Sequence, residues 1–214
     1  LVPNISITDP LLLSTLTRNL IIPPLIDSIA HAVESYLSPI ASPFTETLSL
    51  KGLDLLMRHI RPAIDTLNID DLEQVAIAGT SAGMAFTNAS VGLGHALAHA
   101  LGGMYDVVHG EAHSLLLPSV MRFNLSVCRK KMARIGSIIT GKTMGTDEMT
   151  AIAGIEFLEH FRDEIGIPGS LREILPDRTM FTRMTENAIN DICLLTNPRT
   201  VSREDVLNLF NEAW

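Results

Sequence analysis

Asp27 and His31 stand four residues apart in DSIAHAVESY, and His95, His99 and His109 follow in GLGHALAHALGGMYDVVHGEAH. In a helix, residues four apart share one face with Cβ atoms about 5–6 Å apart, so each pair can point into one cleft. The Gly102-Gly103 break gives the chain a place to turn and bring His109 back toward the first two histidines. One carboxylate with several imidazoles is a ligand set suited to a catalytic divalent ion. Asp27, His31, His95 and His109 can form such an Asp/His₃ set, which fits Fe(II) and Zn(II) alike. Four protein ligands leave a place for a substrate oxygen if coordination expands to five.

A single histidine on an apolar helix is more often a satisfied core residue. Three histidines and an aspartate on two apolar helices, at this spacing, argue against that explanation. His59, His113 and His160 are expected in ordinary core or surface roles. HALAH lacks the glutamate that H-E-x-x-H uses as general base, which disfavours a metalloprotease.

Composition narrows the rest. The chain has 214 residues, 46% hydrophobic and only 5% aromatic, with Leu, Ile, Ala and Met in bulk. That balance favours packed helices over an aromatic-rich β-sandwich. A net charge of −8 argues against nucleic acid, whose phosphates need a basic surface. Arg129, Lys130 and Lys131 form one short basic cluster and read as a solvated helix face. Two cysteines, Cys128 and Cys193, make no disulfide framework and point to a reducing, cytoplasmic setting. Pro and Gly interrupt every long apolar run, so no membrane span is expected.

The elements that must position the histidines are helices. Residues 1–8 read as the end of a strand or a leading loop, and Asp9-Pro10 is a helix-start signal. Pro23-Pro24 is expected to open a helix over 24–37, followed by one over 43–66. A long Ala- and Gly-rich stretch predicts a central helix over 71–104, where small residues let backbones approach closely. Further helices are expected at 109–123, 126–139, 147–165, 179–194 and 202–212. The expectation is an all-α fold of eight or nine helices, with residues 9–214 as a single domain.

DSIAHAVESYLS resembles the D-A-L-x-H-A-x-E-x-Y block of the iron-containing (group III) alcohol dehydrogenases. GLGHALAHALGGMYDVVHGEAHSLLLPSVMRFN resembles their long signature around the second and third histidine ligands, and CLLTNPR their C-terminal Cys-x₃-Asn-Pro-Arg block. The likeness runs from about residue 7 to the C-terminus. It implies the all-helical metal-binding C-terminal domain of that superfamily, which includes dehydroquinate synthase. The resemblance implies that the family's N-terminal α/β domain, which binds NAD or NADP, lies outside these residues, with residues 1–8 as its expected connecting remnant.

The resemblance also implies the roles of residues. Asp27, His31, His95 and His109 match the metal ligands. His99 matches a position near nicotinamide and substrate, which makes it a catalytic and cofactor-binding candidate, and Cys193 matches a position close to the same cleft. The implied activity is NAD(P)-dependent oxidation of a small alcohol to an aldehyde or ketone, or the reverse, by a homo-oligomer, commonly a dimer. Without the α/β domain, this chain alone is expected to be nearly inactive. A glycerol-dehydrogenase-like or dehydroquinate-synthase-like member, or a non-catalytic helical metal-binding domain, are the alternatives. Departures are Leu25-Ile26 for the usual Gly-Met and Ser28-Ile29 for Ala-Leu; neither touches a ligand.

Overall fold

The computed structural model describes residues 4–214, and among them it contains eight α-helices and no strand. In chain order these are α1 (Arg18–Leu37), α2 (Pro43–Thr66), α3 (Ile69–Ala89), α4 (Leu93–Tyr105), α5 (His109–Thr140), α6 (Asp147–Ile165), α7 (Phe181–Ile189) and α8 (Arg203–Glu212). Three short 3₁₀ turns occupy Pro10–Leu13, Leu171–Glu173 and Ile192–Thr196. The all-α expectation holds. The strand considered at the N-terminus is absent over residues 4–8, and residues 1–3 lie outside the described residues.

Local signals explain most helix starts. Ser42 caps α2 through a reciprocal pair of bonds with Thr45, and Pro43 occupies the first turn, where its missing N–H costs nothing. Ser202 caps α8 by the same reciprocal pairing, with Asp205, while Asn68 and Thr146 cap α3 and α6 by accepting a backbone N–H alone.

Four boundaries depart from the sequence expectation. First, α1 begins at Arg18, not at Pro23-Pro24, which sit inside it. The preceding turn forms anyway because Thr17 O accepts both Leu20 N and Ile21 N, and Ile21, Ile22 and Pro23 are buried. Second, the expected 71–104 helix breaks at Ser90–Gly92, where Ser90 takes φ 59°. The break starts α4 afresh and gives it a free N-terminus. Third, the two helices expected over 109–123 and 126–139 meet at a kink of non-helical backbone at Cys128 (φ −131°, ψ 33°), a few residues later than expected, and run together as α5. Fourth, the helix expected over 179–194 ends at Ile189, because Asp191 turns its side chain to cap a separate 3₁₀ turn, Ile192–Thr196.

Besides a small cluster of Val91, Ala96 and Cys193, two large apolar clusters form the interior. One joins α1, α2, α3 and α6 with the C-terminal half of α5. The other joins α4, the first half of α5, α7 and α8. α1, α4 and the start of α5 meet between them, and all the expected metal-ligand candidates lie on these three helices.

Candidate metal centre

Asp27 and His31 lie one turn apart on α1, His95 near the start of α4, and His109 at the start of α5. The approach of α5 to α1 depends on Gly110: a Cβ built there would stand 2.0 Å from the Pro23 carbonyl oxygen. Only a residue without Cβ permits that backbone contact. It brings the first turn of α5, with His109 and His113, against the turn of α1 that carries Asp27.

The result is a tight knot around one carboxylate oxygen. Asp27 Oδ1 is 3.5 Å from His109 Nε2, 3.6 Å from His113 Nε2 and 3.8 Å from His95 Nε2. His109 Nε2 and His113 Nε2 are 3.3 Å apart. Donor atoms about 2.1 Å from a tetrahedral zinc ion would be separated by about 3.4 Å. The distances from Asp27 Oδ1 and between His109 and His113 lie near that spacing, and the ligand atoms of Asp27, His95, His109 and His113 all fall within 4.8 Å of one another. His113, expected in an ordinary role, is therefore part of the cluster; its position one turn after His109 was the only sequence signal.

His31 lies at the edge of the same knot. Its Nδ1 is 3.6 Å from Asp27 Oδ2, and its ring stacks on Phe86 and tilts against His95 at 4.6 Å. The structure thus brings Asp27, His95 and His109 together with His31 at their edge, and adds a fourth imidazole, His113.

The donors also pass a test of chemical fit. Asp27 Oδ1 and His95 Nε2 are buried and have no hydrogen-bond partner. Such orphans in a native interior call for an explanation, and a cation between them supplies one. Burial, reinforced by His95 and His109, lowers His31 to about 3. Burial with His95 and His99 lowers His109 to about 4, and fully buried His113 is held well below its usual value. Neutral imidazole is the form that binds metal. Burial raises Asp27 against the opposing pull of His95.

His99 stands one turn along α4, beside this knot rather than in it. Its Nδ1 is 2.8 Å from Asp191 Oδ2, and its half-exposed ring stacks against His109 at 5.5 Å. Asp191 caps the 3₁₀ turn Ile192–Thr196 by accepting the Cys193 N–H. Burial works to raise Asp191, but hydrogen bonds from Cys193 and His99 hold it below the ordinary carboxylate range. His99, Asp191 and Cys193 therefore form a second small cluster. Burial and Asp191 push the Cys193 thiol up to about 12, so it is a neutral, weakly reactive group.

Residues 22–214 match the family model described as "Fe-containing alcohol dehydrogenase family, C-terminal". The chain belongs to the iron-containing alcohol dehydrogenase family. It is 36% identical over 214 residues to 1,3-propanediol dehydrogenase of Citrobacter freundii, covering 99% of this chain and 55% of that protein. It is 29% identical over 213 residues to NAD-dependent methanol dehydrogenase of Bacillus methanolicus, covering 99% of this chain and 56% of that protein. A crystal structure of 1,3-propanediol oxidoreductase superposes with a TM-score of 0.96 at 35% identity, over 100% of this chain and 56% of that one. The chain spans about half the length of these relatives and corresponds to the C-terminal helical domain of the iron-containing alcohol dehydrogenases. No helix among the described residues is long and apolar enough to cross a membrane.

Proposed function

We propose that this chain is the metal-binding catalytic half of an NAD(P)-dependent alcohol dehydrogenase. The observation that carries it is the knot of ligand atoms around Asp27 Oδ1, with two buried partnerless atoms facing each other across it. Asp27, His31, His95 and His109 would hold one divalent ion, Fe(II) or alternatively Zn(II), with His113 Nε2 as a further donor at the same centre. When bound, the ion supplies a Lewis acid toward an alcohol or carbonyl oxygen.

The chain's own residues do the rest. The half-buried Asp27 and the neutral imidazoles, of which His95 and His113 are buried, fix the centre between α1, α4 and α5. Asp191 holds His99 by Nδ1, so the other ring nitrogen is free to accept or return a proton at the substrate hydroxyl. A neutral Cys193 lines the same side without competing as a nucleophile. NAD or NADP would be bound by an α/β unit outside these residues, as the name of the methanol dehydrogenase relative suggests for the cofactor. Small alcohols, diols among them, are the proposed substrates, in keeping with the propanediol dehydrogenase relative. The proposed assembly is a homo-oligomer, commonly a dimer in this family.

The test is oxidation of short alcohols and 1,3-diols with NAD and with NADP, by a protein carrying these residues and supplied with Fe(II) or Zn(II). Turnover with wild type and none with Asp27→Ala is expected. Turnover that survives Asp27→Ala contradicts the proposal.

A further inference from the structure

Glu34 is among the most deeply buried charged side chains of the molecule, 4% exposed, and it lies two turns along α1 from Asp27. A buried carboxylate needs partners, and every partner it has belongs to the start of α4. Glu34 Oε1 accepts the Gly94 N–H at 2.6 Å, and Oε2 accepts the His95 N–H at 3.2 Å. His95 Nδ1 stands 2.5 Å from the same Oε2.

α4 has no capping side chain of its own, because its N-cap is Gly92. Its first free N–H groups are met from elsewhere: Leu93 by Asn197 Oδ1 at 3.3 Å, Gly94 and His95 by Glu34. A negative group at a helix N-terminus also complements the helix dipole. Asn197 is held in turn by a reciprocal pair with Asn124, at 3.0 Å each way, and by the Arg199 carbonyl. The Asn-Pro-Arg segment and Glu34 together close the start of α4.

We propose that Glu34 is the positioning residue of the metal centre, fixing His95 in the tautomer and orientation that present Nε2 to Asp27. This rests on the metal-binding reading above. Two facts combine to give it. A carboxylate oxygen only accepts, so His95 must carry its proton on Nδ1 and leave the Nε2 lone pair bare. That bare Nε2 is the buried, partnerless atom 3.8 Å from Asp27 Oδ1. His113 provides the contrast: its Nδ1 has no outer partner such as Glu34 gives His95. Space is equally specific. A Cβ on Gly94 would lie 2.8 Å from Glu34 Oε1, so the glycine is what lets the carboxylate close on the helix end.

The experiment compares wild type, Glu34→Gln and Gly94→Ala in the 214-residue chain. The His95 tautomer is read by long-range ¹H–¹⁵N NMR of the metal-free protein, and Co(II) affinity by its visible absorption. Gln can offer an N–H to His95 Nδ1 and so turn the proton to Nε2. Expected are a wild-type His95 protonated on Nδ1, a shift to Nε2 in Glu34→Gln, and Co(II) binding weakened about 10- to 100-fold, the usual effect of losing such a partner. If Glu34→Gln does not fold, Gly94→Ala keeps the charge but displaces the carboxylate, and the same direction of change is expected. A wild-type tautomer and affinity within twofold in the folded variants overturn the proposal. Wild type with Nδ1 protonated but no Co(II) uptake sinks the metal reading and leaves the tautomer assignment standing. Nε2 protonated in wild type sinks the positioning role by itself.

Discussion

Asp27 Oδ1 and His95 Nε2 face each other at 3.8 Å inside the protein, and neither makes a hydrogen bond. Their helices are held together by Glu34, which lies on the aspartate's helix and bonds to the histidine's. The centre is therefore a property of packing between α1, α4 and α5, and each contact can be tested separately.

Gly110→Ala tests the approach of α5 to α1. The added Cβ would meet the Pro23 carbonyl, a backbone atom that cannot swing away. Overpacking of this kind costs about 1–3 kcal/mol, occasionally more. A lower thermal midpoint together with weakened metal binding is expected, since His109 and His113 move with that turn. An unchanged melt with unchanged affinity contradicts the role given to this glycine.

His99→Ala separates chemistry from binding. Its Nδ1 is engaged by Asp191, outside the knot around Asp27. The variant should retain its metal in an equilibrium-dialysis measurement and lose about 10²- to 10⁴-fold in turnover, the usual contribution of a proton-transfer group. Metal loss equal to that of His109→Ala refutes the division of roles.

His113→Ala should weaken metal binding by about tenfold, the low end of what loss of a supporting group costs. Its Nε2 faces the centre, but its Nδ1 lacks the outer partner that His95 has. A competitive chelator titration gives the number. Complete loss of binding, as severe as in His95→Ala, shows that it ranks with the main ligands.

The metal-free chain should lose stability as pH falls from about 6.5 toward 4. His31 is lowered to about 3, His109 to about 4, and His113 is well below 6.5. In that window the unfolded chain takes up protons that the folded chain refuses, so stability falls with pH. Each such proton gives a slope of about 1.4 kcal/mol per pH unit. Asp27, shifted upward, works in the opposite sense over the lower part of the window but is one group against three. Denaturant midpoints between pH 4 and 8 measure this, and a flat profile contradicts the neutral cluster.

Much of this was legible in the residues. The i,i+4 pair on α1 and the HALAH block marked the site because helical spacing puts such pairs on one face. The start of α2 followed from Ser42-Pro43, whose capping chemistry is local, and the expected 147–165 helix matches α6. The break at Ser90–Gly92 was not legible, because the Ala- and Gly-rich run keeps an unbroken pattern and the partners that close α4 come from Glu34 and Asn197, both distant in sequence. The helical entry through Pro23-Pro24 was hidden because local propensity argues against it and burial of Ile21 and Ile22 overrides it. His113 was missed because one turn after His109 it looked like core, and only the approach of α1 brings Asp27 to it.

The most direct test of the metal centre is elemental analysis of the purified chain, with His95→Ala prepared beside it. About one iron or zinc per wild-type chain is predicted, with none in the variant. No metal in wild type after reconstitution under reducing conditions, or equal metal in both, would contradict the assignment.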